Sequence, residues 1–405
     1  MQHGAMRDAR LLMTAKAFRG FGDGFTALLL PVYLIGLGLD AFQVGLVATA
    51  AMLGSAGLTL AVGLAGHRVS ARGLLMLSCG LMLVTGIAFS QAHAFWPLVI
   101  VAFVGTLNPS SGDVSVFVPL EQAMLAHAGP DSERTSRFAA YNVVGATAVA
   151  LGALSVGLVE PLARVLTRPR GEIIAAAFAL YGLIGVAAFL IYRRLPEETA
   201  GAAELRTGLG PSRRRVYQLA ALFSLDSFGG GFLVQSLLAL WLFHRFGLTL
   251  ATAGAFFFWT GLLTAGSQFA AGRLARRIGL IRTMVFTHIP ANLCVVACAF
   301  APSLPVALAL LTVRSALSSM DVPARTSYVM AVVTPAERAA AAGVTNGPRS
   351  LAAALSPALA GALFSAAVFP WPLLIGGGLK IGYDLLLRWQ FQKVKPPEEL
   401  PPSKS

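Results

Sequence analysis

The chain has 405 residues, of which 56% are hydrophobic and only 12% are charged. Soluble domains carry roughly 25% charged residues, so this composition excludes an ordinary cytosolic enzyme. Because a spanning helix needs about 20 apolar residues, a chain of this length can hold twelve such helices joined by short loops. The net charge of +13 fits the Lys and Arg that membrane proteins gather in cytoplasmic loops. Basic and aromatic residues do not alternate in any polar segment, so nucleic acid is not an expected partner.

Twelve apolar stretches predict the membrane-spanning helices, in chain order. They cover residues 14–37, 42–65, 73–93, 96–125, 136–159, 172–193, 216–243, 250–271, 282–301, 304–331, 340–366 and 370–388. If the N-terminus is inside, the only Lys or Arg residues in the outer loops are Arg164, Arg168, Arg170 and Arg245. The clusters of basic residues all fall in the inner loops. We therefore expect a multi-pass protein of the plasma (inner) membrane with both termini in the cytoplasm.

The sequence repeats itself after about half its length. GFGDGF at residues 20–25 is followed 207 residues later by SFGGGF, and Asp113 in SSGDV is followed 208 residues later by Asp321 in SSMDV. Each half contains six spans, an even number, so the repeats are expected to be parallel. The predicted division is an N-terminal bundle (1–193), a cytoplasmic linker (194–215), a C-terminal bundle (216–392) and a mobile cytoplasmic tail (393–405).

Twelve spans, a central linker and a parallel repeat together resemble the major facilitator superfamily, and the resemblance covers essentially the whole chain. A loop motif of that family, G-x-x-x-D-R-x-G-R-R, has degraded copies after the second and eighth spans. The first copy keeps Gly63, Arg68 and Arg72, and the second keeps Gly272, Arg276 and Arg277. In the first copy His67, Ser70 and Ala71 replace the family's Asp, Gly and Arg.

This resemblance implies an all-α integral membrane protein with two parallel six-helix repeats around a central cavity. It also implies that the two basic loops act as cytoplasmic gates. Their arginines could approach helix C-termini, which carry partial negative charge. The simpler interpretation, that these arginines only set the membrane topology, stays open.

Ionisable side chains within the predicted spans are the main clue to function, because an ionisable group at bilayer depth costs free energy and usually marks a wet or paired surface. They fall in the spans that line the cavity in the resembling family. The candidate substrate and ion pathway consists of Arg19, Asp23, Asn108, Asp113, Asn142, Asp226, Gln235, Arg314, Ser318, Asp321, Asn346 and Arg349.

Spacing suggests partners for several of these charges. Arg19 and Asp23 are four residues apart and share a helix face, although the repeat also aligns Arg19 with Asp226. Lys380 and Asp384 are likewise four residues apart and are expected to pair with each other. Asp226 has no basic residue within one turn of its own helix, so it is the leading candidate to carry a proton.

The Arg314 span predicts a continuous polar stripe. Its members are Arg314, Ser318, Asp321 and Arg325, spaced so that all four lie on one face of a single helix. Cys294 and Cys298 could hold a soft metal, but they lie in a peripheral span where cysteine usually packs as a small hydrophobe.

The resulting functional hypothesis is a secondary active transporter that moves a small solute by alternating access, with proton-coupled efflux as the first choice. Proton-coupled uptake of an anionic solute is the alternative. We expect no catalytic residue, cofactor or bound metal, and a functional monomer. An intramembrane aspartyl protease built on Asp23 and Asp384 is a further alternative, but its motifs occur in the reverse order here. A channel or scramblase would need a continuous hydrophilic path.

Overall fold

The structure is a computed structural model that describes residues 2–65, 70–110, 115–128, 134–197, 209–334, 337–367, 370–392 and 394. Within these ranges the chain forms sixteen α-helices. The first eight are α1 (Gln2–Gly36), α2 (Ala41–Ala65), α3 (Ala71–Gln91), α4 (Phe95–Val104), α5 (Phe117–His127), α6 (Arg134–Ser155), α7 (Val159–Val165) and α8 (Arg170–Tyr192). The others are α9 (Arg213–Gly231), α10 (Gln235–Phe246), α11 (Leu250–Ile278), α12 (Leu280–Cys298), α13 (Leu304–Leu317), α14 (Asp321–Ala331), α15 (Arg338–Ala366) and α16 (Trp371–Phe391).

The predicted spans coincide with these helices, which confirms the all-α fold class. Within the described ranges, nine helical segments are long and apolar enough to cross a membrane. The predicted first and last spans correspond to α1 and α16, which are 35 and 21 residues long and contain several charged residues. The remaining predicted span corresponds to the short helices α4 and α5.

The prediction of a single continuous helix over residues 96–125 is wrong, because the chain leaves the helix after Val104 and resumes it at Phe117. Backbone groups freed within a membrane must find partners inside the protein. Thr85 Oγ1 accepts a hydrogen bond from the Thr106 amide at 3.3 Å, and the Tyr181 hydroxyl donates to the Thr106 carbonyl at 2.9 Å. Side chains of α3 and α8 therefore stabilise this break.

The spans predicted at 216–243 and 304–331 are also interrupted. The first divides into α9 and α10 after the glycine run Gly229–Gly231, and the second divides into α13 and α14 at Ser318–Met320. Pro323 lies in the first turn of α14, where a missing amide hydrogen is tolerated. The tenth span is thus two helices, so the predicted stripe from Arg314 to Arg325 is broken between them.

The chain forms two compact units. Unit 1 contains residues 1–203, 234–262 and 357–366, and unit 2 contains residues 204–233, 263–356 and 367–405. Each has its own buried apolar core. Leu12, Leu75 and Leu125 are fully buried in unit 1, and Val216, Met284 and Leu387 are fully buried in unit 2. The division of the sequence into two bundles, a linker and a tail stays a prediction, since 198–208, 393 and 395–405 lie outside the described residues.

Unit 1 depends on close approach between α1 and α6. A Cβ atom added at Gly152 would overlap the carbonyl oxygen of Phe21, and one added at Gly24 would overlap the carbonyl oxygen of Val149. The two helices thus contact each other through backbone on both sides of one crossing. Small residues permit such an approach in membranes, where packing and hydrogen bonding drive helix association.

In unit 2, Glu337 joins the end of the predicted linker to the turn before α15. Its buried carboxylate accepts hydrogen bonds from the Gly210 amide at 2.6 Å, the Ser212 hydroxyl at 2.7 Å and the Thr334 hydroxyl at 2.7 Å. The hydrogen bonds from Thr334 and Ser212 hold the pKa of Glu337 at about 2, below its usual range. Glu133, its counterpart in the repeat, lies outside the described residues.

We predict that Gly152→Ala destabilises the protein by about 1–3 kcal/mol, the usual cost of overpacking, because the added methyl must separate α1 from α6. Thermal unfolding of the purified full-length protein in detergent measures the change. The matched control is Gly57→Ala in α2, where a Cβ atom meets nothing within 4 Å. An equal loss in both variants would contradict the close-contact explanation.

We also predict that the stabilising effect of Glu337 depends on pH. Its pKa is lowered on folding, so its contribution is complete above the unfolded pKa of about 4.3 and decreases as pH falls toward about 2. The difference in unfolding temperature between wild type and Glu337→Gln should shrink between about pH 5 and pH 3. Glu197→Gln, at an exposed position, is the control. A constant difference for Glu337→Gln over this range would disprove the prediction.

Candidate functional site

The ionisable side chains inside the helices form two buried clusters, one in each unit. The cluster of unit 1 contains Arg19 and Glu121 with two tyrosines, and the cluster of unit 2 surrounds Asp226.

In unit 1, Glu121 of α5 is fully buried and forms an ion pair with Arg19 of α1, which is 2% exposed. The hydroxyls of Tyr141 and Tyr192 each donate a hydrogen bond to the same carboxylate at 2.5 Å. Arg19 Nε donates to the Tyr192 hydroxyl at 3.0 Å, and its guanidinium lies 3.9 Å from the centroid of the Phe117 ring. Charge and hydrogen-bonding capacity are therefore compensated in this cluster.

The expected ion pair between Arg19 and Asp23 is wrong, because Arg19 pairs with Glu121. An approach of Arg19 to Asp226 stays a prediction. Helical spacing makes Asp23 available, but Glu121 is held by two tyrosine hydroxyls at the end of the Arg19 side chain. The i,i+4 spacing only places Arg19 and Asp23 on the same face. A partner 102 residues away supplies the ion pair.

Asp23 lies one helical turn from Arg19 and is 9% exposed. Among the described residues, no side chain donates a hydrogen bond to its carboxylate, and no cation lies within 4.0 Å of it. Burying a carboxylate without a partner costs free energy, and protonation reduces that cost. Arg19 and Lys16 attract its charge from farther away, so Asp23 is a buried carboxylate of unit 1 that forms no ion pair among the described residues.

In unit 2, Asp226 of α9 lies between two cations from other helices. Lys380 Nζ of α16 lies 2.6 Å from its Oδ1, and Arg325 Nη1 of α14 lies 3.0 Å from its Oδ2. Arg325 also approaches Asp321 Oδ2 at 3.5 Å. The side chains of Asp226, Asp321, Arg325 and Lys380 are between 4% and 11% exposed. The reason for expecting a proton on Asp226 thus fails, because neighbouring helices supply the cations that its own helix lacks.

His288 of α12 extends this cluster to Asp384 of α16. Its Nδ1 lies 3.0 Å from both carboxylate oxygens of Asp384, and its Nε2 lies 3.8 Å from Asp226 Oδ1. The predicted Lys380–Asp384 pair is wrong, since Lys380 binds Asp226 and Asp384 binds His288. The hydroxyl of Tyr383 beside them is buried and has no hydrogen-bond partner in the described structure.

The other predicted pathway residues are less buried or occupy helix breaks. Arg349 Nε of α15 donates to the Ser227 hydroxyl at 2.8 Å, directly after Asp226 in the chain. Asn108 is buried in the break between α4 and α5, where its Oδ1 accepts from the Ser110 amide at 3.0 Å. Gln235, Arg314 and Ser318 are partly buried, while Asn142 and Asn346 are exposed. Asp113 lies outside the described residues, so its predicted similarity in depth to Asp321 stays a prediction.

The predicted gating loops are described only in part. Arg72 Nη1 donates to the carbonyl of Leu195, just beyond the C-terminus of α8, at 3.2 Å. Gly63 lies near the end of α2, and Arg68 is outside the described residues. The second copy is not a loop, because Gly272, Arg276 and Arg277 continue α11, and the chain turns only at Gly279 with a φ of +89°.

The pathway predicted from the sequence leaves out several candidates that the structure places in the two clusters, although Lys380 and Asp384 were expected to pair with each other. The candidates are Glu121, Tyr141, Tyr192, His288, Lys380 and Asp384. Most are polar residues inside apolar stretches, a signal that was available from the sequence. Their assignment to two clusters was not, because the interacting partners come from different helices. Within the described residues, no group of three or more His, Cys, Asp or Glu side chains could hold a metal ion.

Comparison with known proteins identifies the fold. The sequence profile of the Major Facilitator Superfamily matches residues 12–313 and again residues 227–405. The chain belongs to the major facilitator superfamily. The overlapping matches agree with the internal repeat, and the family's transporters support a secondary transport function for a multi-pass membrane protein.

Similar proteins cover nearly the whole chain. An uncharacterised membrane protein of Saccharomyces cerevisiae is 25% identical over 423 residues, with 96% of this chain and 94% of that protein aligned. The nucleoside transporter NupG has a TM-score of 0.71 at 14% identity, covering 96% of this chain and 99% of its own. The xylose transporter XylE from E. coli also has a TM-score of 0.71 at 14% identity, covering 97% and 99%. These structural likenesses show the shared fold.

We predict that Arg19→Met destabilises the protein by about 3–5 kcal/mol, the usual cost of leaving a buried partner uncompensated. Adding Glu121→Gln should recover part of the loss, because a neutral amide oxygen still accepts from the tyrosines. Thermal unfolding of both variants and of Glu121→Gln alone completes the double-mutant cycle.

The control is Arg168→Met. It removes one partner of an exposed Arg168–Glu172 pair at 3.4 Å, which should change stability by less than about 1 kcal/mol. Strictly additive effects of Arg19→Met and Glu121→Gln would contradict the buried ion pair.

Proposed function

We propose that the protein is a proton-coupled secondary active transporter of a small solute and that Asp23 carries the coupled proton. The observation that carries this proposal is the difference between its buried carboxylates. Glu121 and Asp226 form ion pairs, whereas Asp23 forms none among the described residues and meets Arg19 and Lys16 only at longer range. A carboxylate of that kind can exchange a proton without breaking an ion pair.

A buried carboxylate without an ion pair also offers a way for a proton to drive a conformational change. A buried carboxylate must be hydrated while charged, but it can enter a dry environment once protonated. Protonation of Asp23 would thus favour states in which its surroundings exclude water. A ligand shifts such an equilibrium only to the extent that it binds one state better than the other.

We propose efflux in exchange for protons as the direction, with uptake together with protons as the second candidate. The buried Arg325 and the partly buried Arg349 of unit 2 favour the second candidate if the solute is anionic. The solved neighbours include transporters of nucleosides and of xylose, which supports a small-molecule substrate. We further propose a plasma-membrane location, cytoplasmic termini and a functional monomer.

The protease alternative has lost support, because Asp384 pairs with His288 and the structural neighbours are transporters.

The test uses full-length protein reconstituted in liposomes that contain a pH-sensitive dye. Candidate solutes are added one at a time, with and without an imposed pH gradient, and solute-dependent proton movement is recorded. Proton movement opposite to the solute indicates exchange, and movement in the same direction indicates symport. If no solute that is transported moves protons, proton coupling is disproved.

We predict that Asp23→Asn abolishes gradient-driven accumulation but preserves exchange of labelled for unlabelled solute, because the amide binds no proton at neutral pH. Asp40→Asn is the control, since Asp40 is exposed and its carboxylate accepts a hydrogen bond from the Gln43 amide at 2.8 Å, which an amide oxygen can also accept. If Asp23→Asn accumulates solute like wild type, another group carries the proton. The His288–Asp384 pair is the next to substitute.

A further inference from the structure

His288 of α12 lies between two buried carboxylates that the transport mechanism proposed above does not use. Its Nδ1 atom lies 3.0 Å from both carboxylate oxygens of Asp384, and its Nε2 atom lies 3.8 Å from Asp226 Oδ1. The side chains of His288 and Asp384 are 3% and 0% exposed. Bulk water therefore cannot solvate the charge of Asp384, and the protein itself must compensate for it.

The neighbouring cations bind other carboxylates. Lys380 Nζ lies 2.6 Å from Asp226 Oδ1, and Arg325 Nη1 lies 3.0 Å from Asp226 Oδ2 and 3.5 Å from Asp321 Oδ2. Among the described residues, no lysine or arginine lies within 4.0 Å of the Asp384 carboxylate. Lys380 attracts its charge and Asp226 repels it, both from farther away. The close contact with the imidazole is therefore the main interaction that can compensate for this carboxylate.

Other ionisable side chains on the surrounding helices do not bind the pair. The Tyr383 hydroxyl of α16 is buried and has no hydrogen-bond partner in the described structure, and its ring makes an edge contact with His288 at 6.1 Å between centroids. Arg388 of α16 lies over the Phe286 ring, and Arg314 of α13 acts on the two cysteines of α12. Within the part of the chain that the structure describes, His288 is thus the only side chain that hydrogen-bonds to the carboxylate.

The contacts of the imidazole limit where protons can be. A neutral imidazole carries one N–H donor, and its second nitrogen presents a lone pair. A lone pair on Nδ1 would face an ionised Asp384 at hydrogen-bond distance, and a lone pair on Nε2 would face the Asp226 carboxylate. One additional proton removes both repulsions. Either His288 is then doubly protonated, or Asp384 is protonated and donates to Nδ1 while Nε2 carries the imidazole proton.

We propose that His288 and Asp384 together bind one proton more than a neutral imidazole beside an ionised carboxylate would hold. The two locations of this proton are alternatives within one strongly interacting pair, so the proton belongs to the pair. In either case Asp384 needs no cation, and Lys380 and Arg325 can both remain on Asp226. The proton thereby stabilises the contacts among α9, α12, α14 and α16. The proposal does not depend on proton-coupled transport or on the carboxylates of unit 1.

Solid-state NMR of the wild-type, full-length protein in phosphatidylcholine liposomes counts these protons directly, because nitrogen and carbon chemical shifts distinguish protonated from unprotonated groups. The two residues can be assigned without substitutions. His288 is the only one of the six histidines that isoleucine follows, and Asp384 is the only aspartate that leucine follows. Isotope labelling of these residue pairs therefore marks both signals. The sample is held at about pH 7.5, where a free imidazole is mostly neutral and a free carboxylate is ionised.

We expect a protonated Nε2 together with one further proton, found either on Nδ1 or on the Asp384 carboxyl group. A mixture of these two forms also agrees with the proposal. An unprotonated Nε2, a proton on neither Nδ1 nor Asp384, or protons on both would overturn it.

A second measurement follows the same proton through unfolding. If the folded pair holds a proton that the unfolded chain releases above about pH 7.5, the folded state binds more protons and becomes less stable as pH rises. Between about pH 7.5 and pH 8.5, the unfolding constant of the wild type in mixed detergent micelles should rise up to about tenfold more than that of Asp384→Asn, which has no carboxylate to share a proton.

Asp40→Asn is the control for this measurement, because Asp40 is exposed, and it should behave like the wild type. An equal pH dependence of unfolding in the wild type and in Asp384→Asn would overturn the proposal. The NMR experiment needs no variant, so it decides the question even if Asp384→Asn does not fold.

Discussion

The cost of burying charge in an apolar interior is the constraint on which this structure depends. An ion pair inside the membrane is tolerated when geometry and hydrogen bonds compensate for the lost water. In unit 1 that requirement joins α1, α5, α6 and α8 around Glu121. In unit 2 it joins α9, α12, α14 and α16 around Asp226. Each cluster thus specifies which helices are neighbours, something that apolar packing against lipid alone does poorly.

The two clusters solve the problem differently. Among the described residues, the cluster of unit 1 contains one ion pair, and tyrosine hydroxyls, which add no charge, satisfy its carboxylate. Unit 2 uses a network. In it Arg325 contacts Asp226 and Asp321, and His288 contacts both carboxylate oxygens of Asp384. A network of this kind can redistribute a proton or a hydrogen bond among its members, whereas the Glu121 cluster has few alternatives. The duplication has therefore preserved the fold more closely than the polar interior.

The sequence predicted the helices well and their polar contacts poorly, and the reason is physical. Hydropathy over about 20 residues is a local property, so the bounds of spans such as 42–65 and 340–366 agree closely with α2 and α15. The partner of Arg19 lies 102 residues away and that of Lys380 lies 154 residues away. Helical spacing indicated nearer partners, because it describes one helix without its neighbours. The breaks near Thr106 and Ser318 also escaped prediction, since side chains from other helices satisfy the first of them.

The reciprocal backbone contact between α1 and α6 limits the movements open to unit 1. Sliding of one helix along the other, the shear motion seen in many domains, would move Gly24 and Gly152 away from positions where the two backbones approach each other closely. Hinge bending avoids that penalty, because it can take place where a helix is already interrupted, as between α4 and α5. We therefore expect conformational change during solute exchange to bend the interrupted helices. Helices α1 and α6 should move as one rigid body, and Asp23 and Arg19 should move together with them.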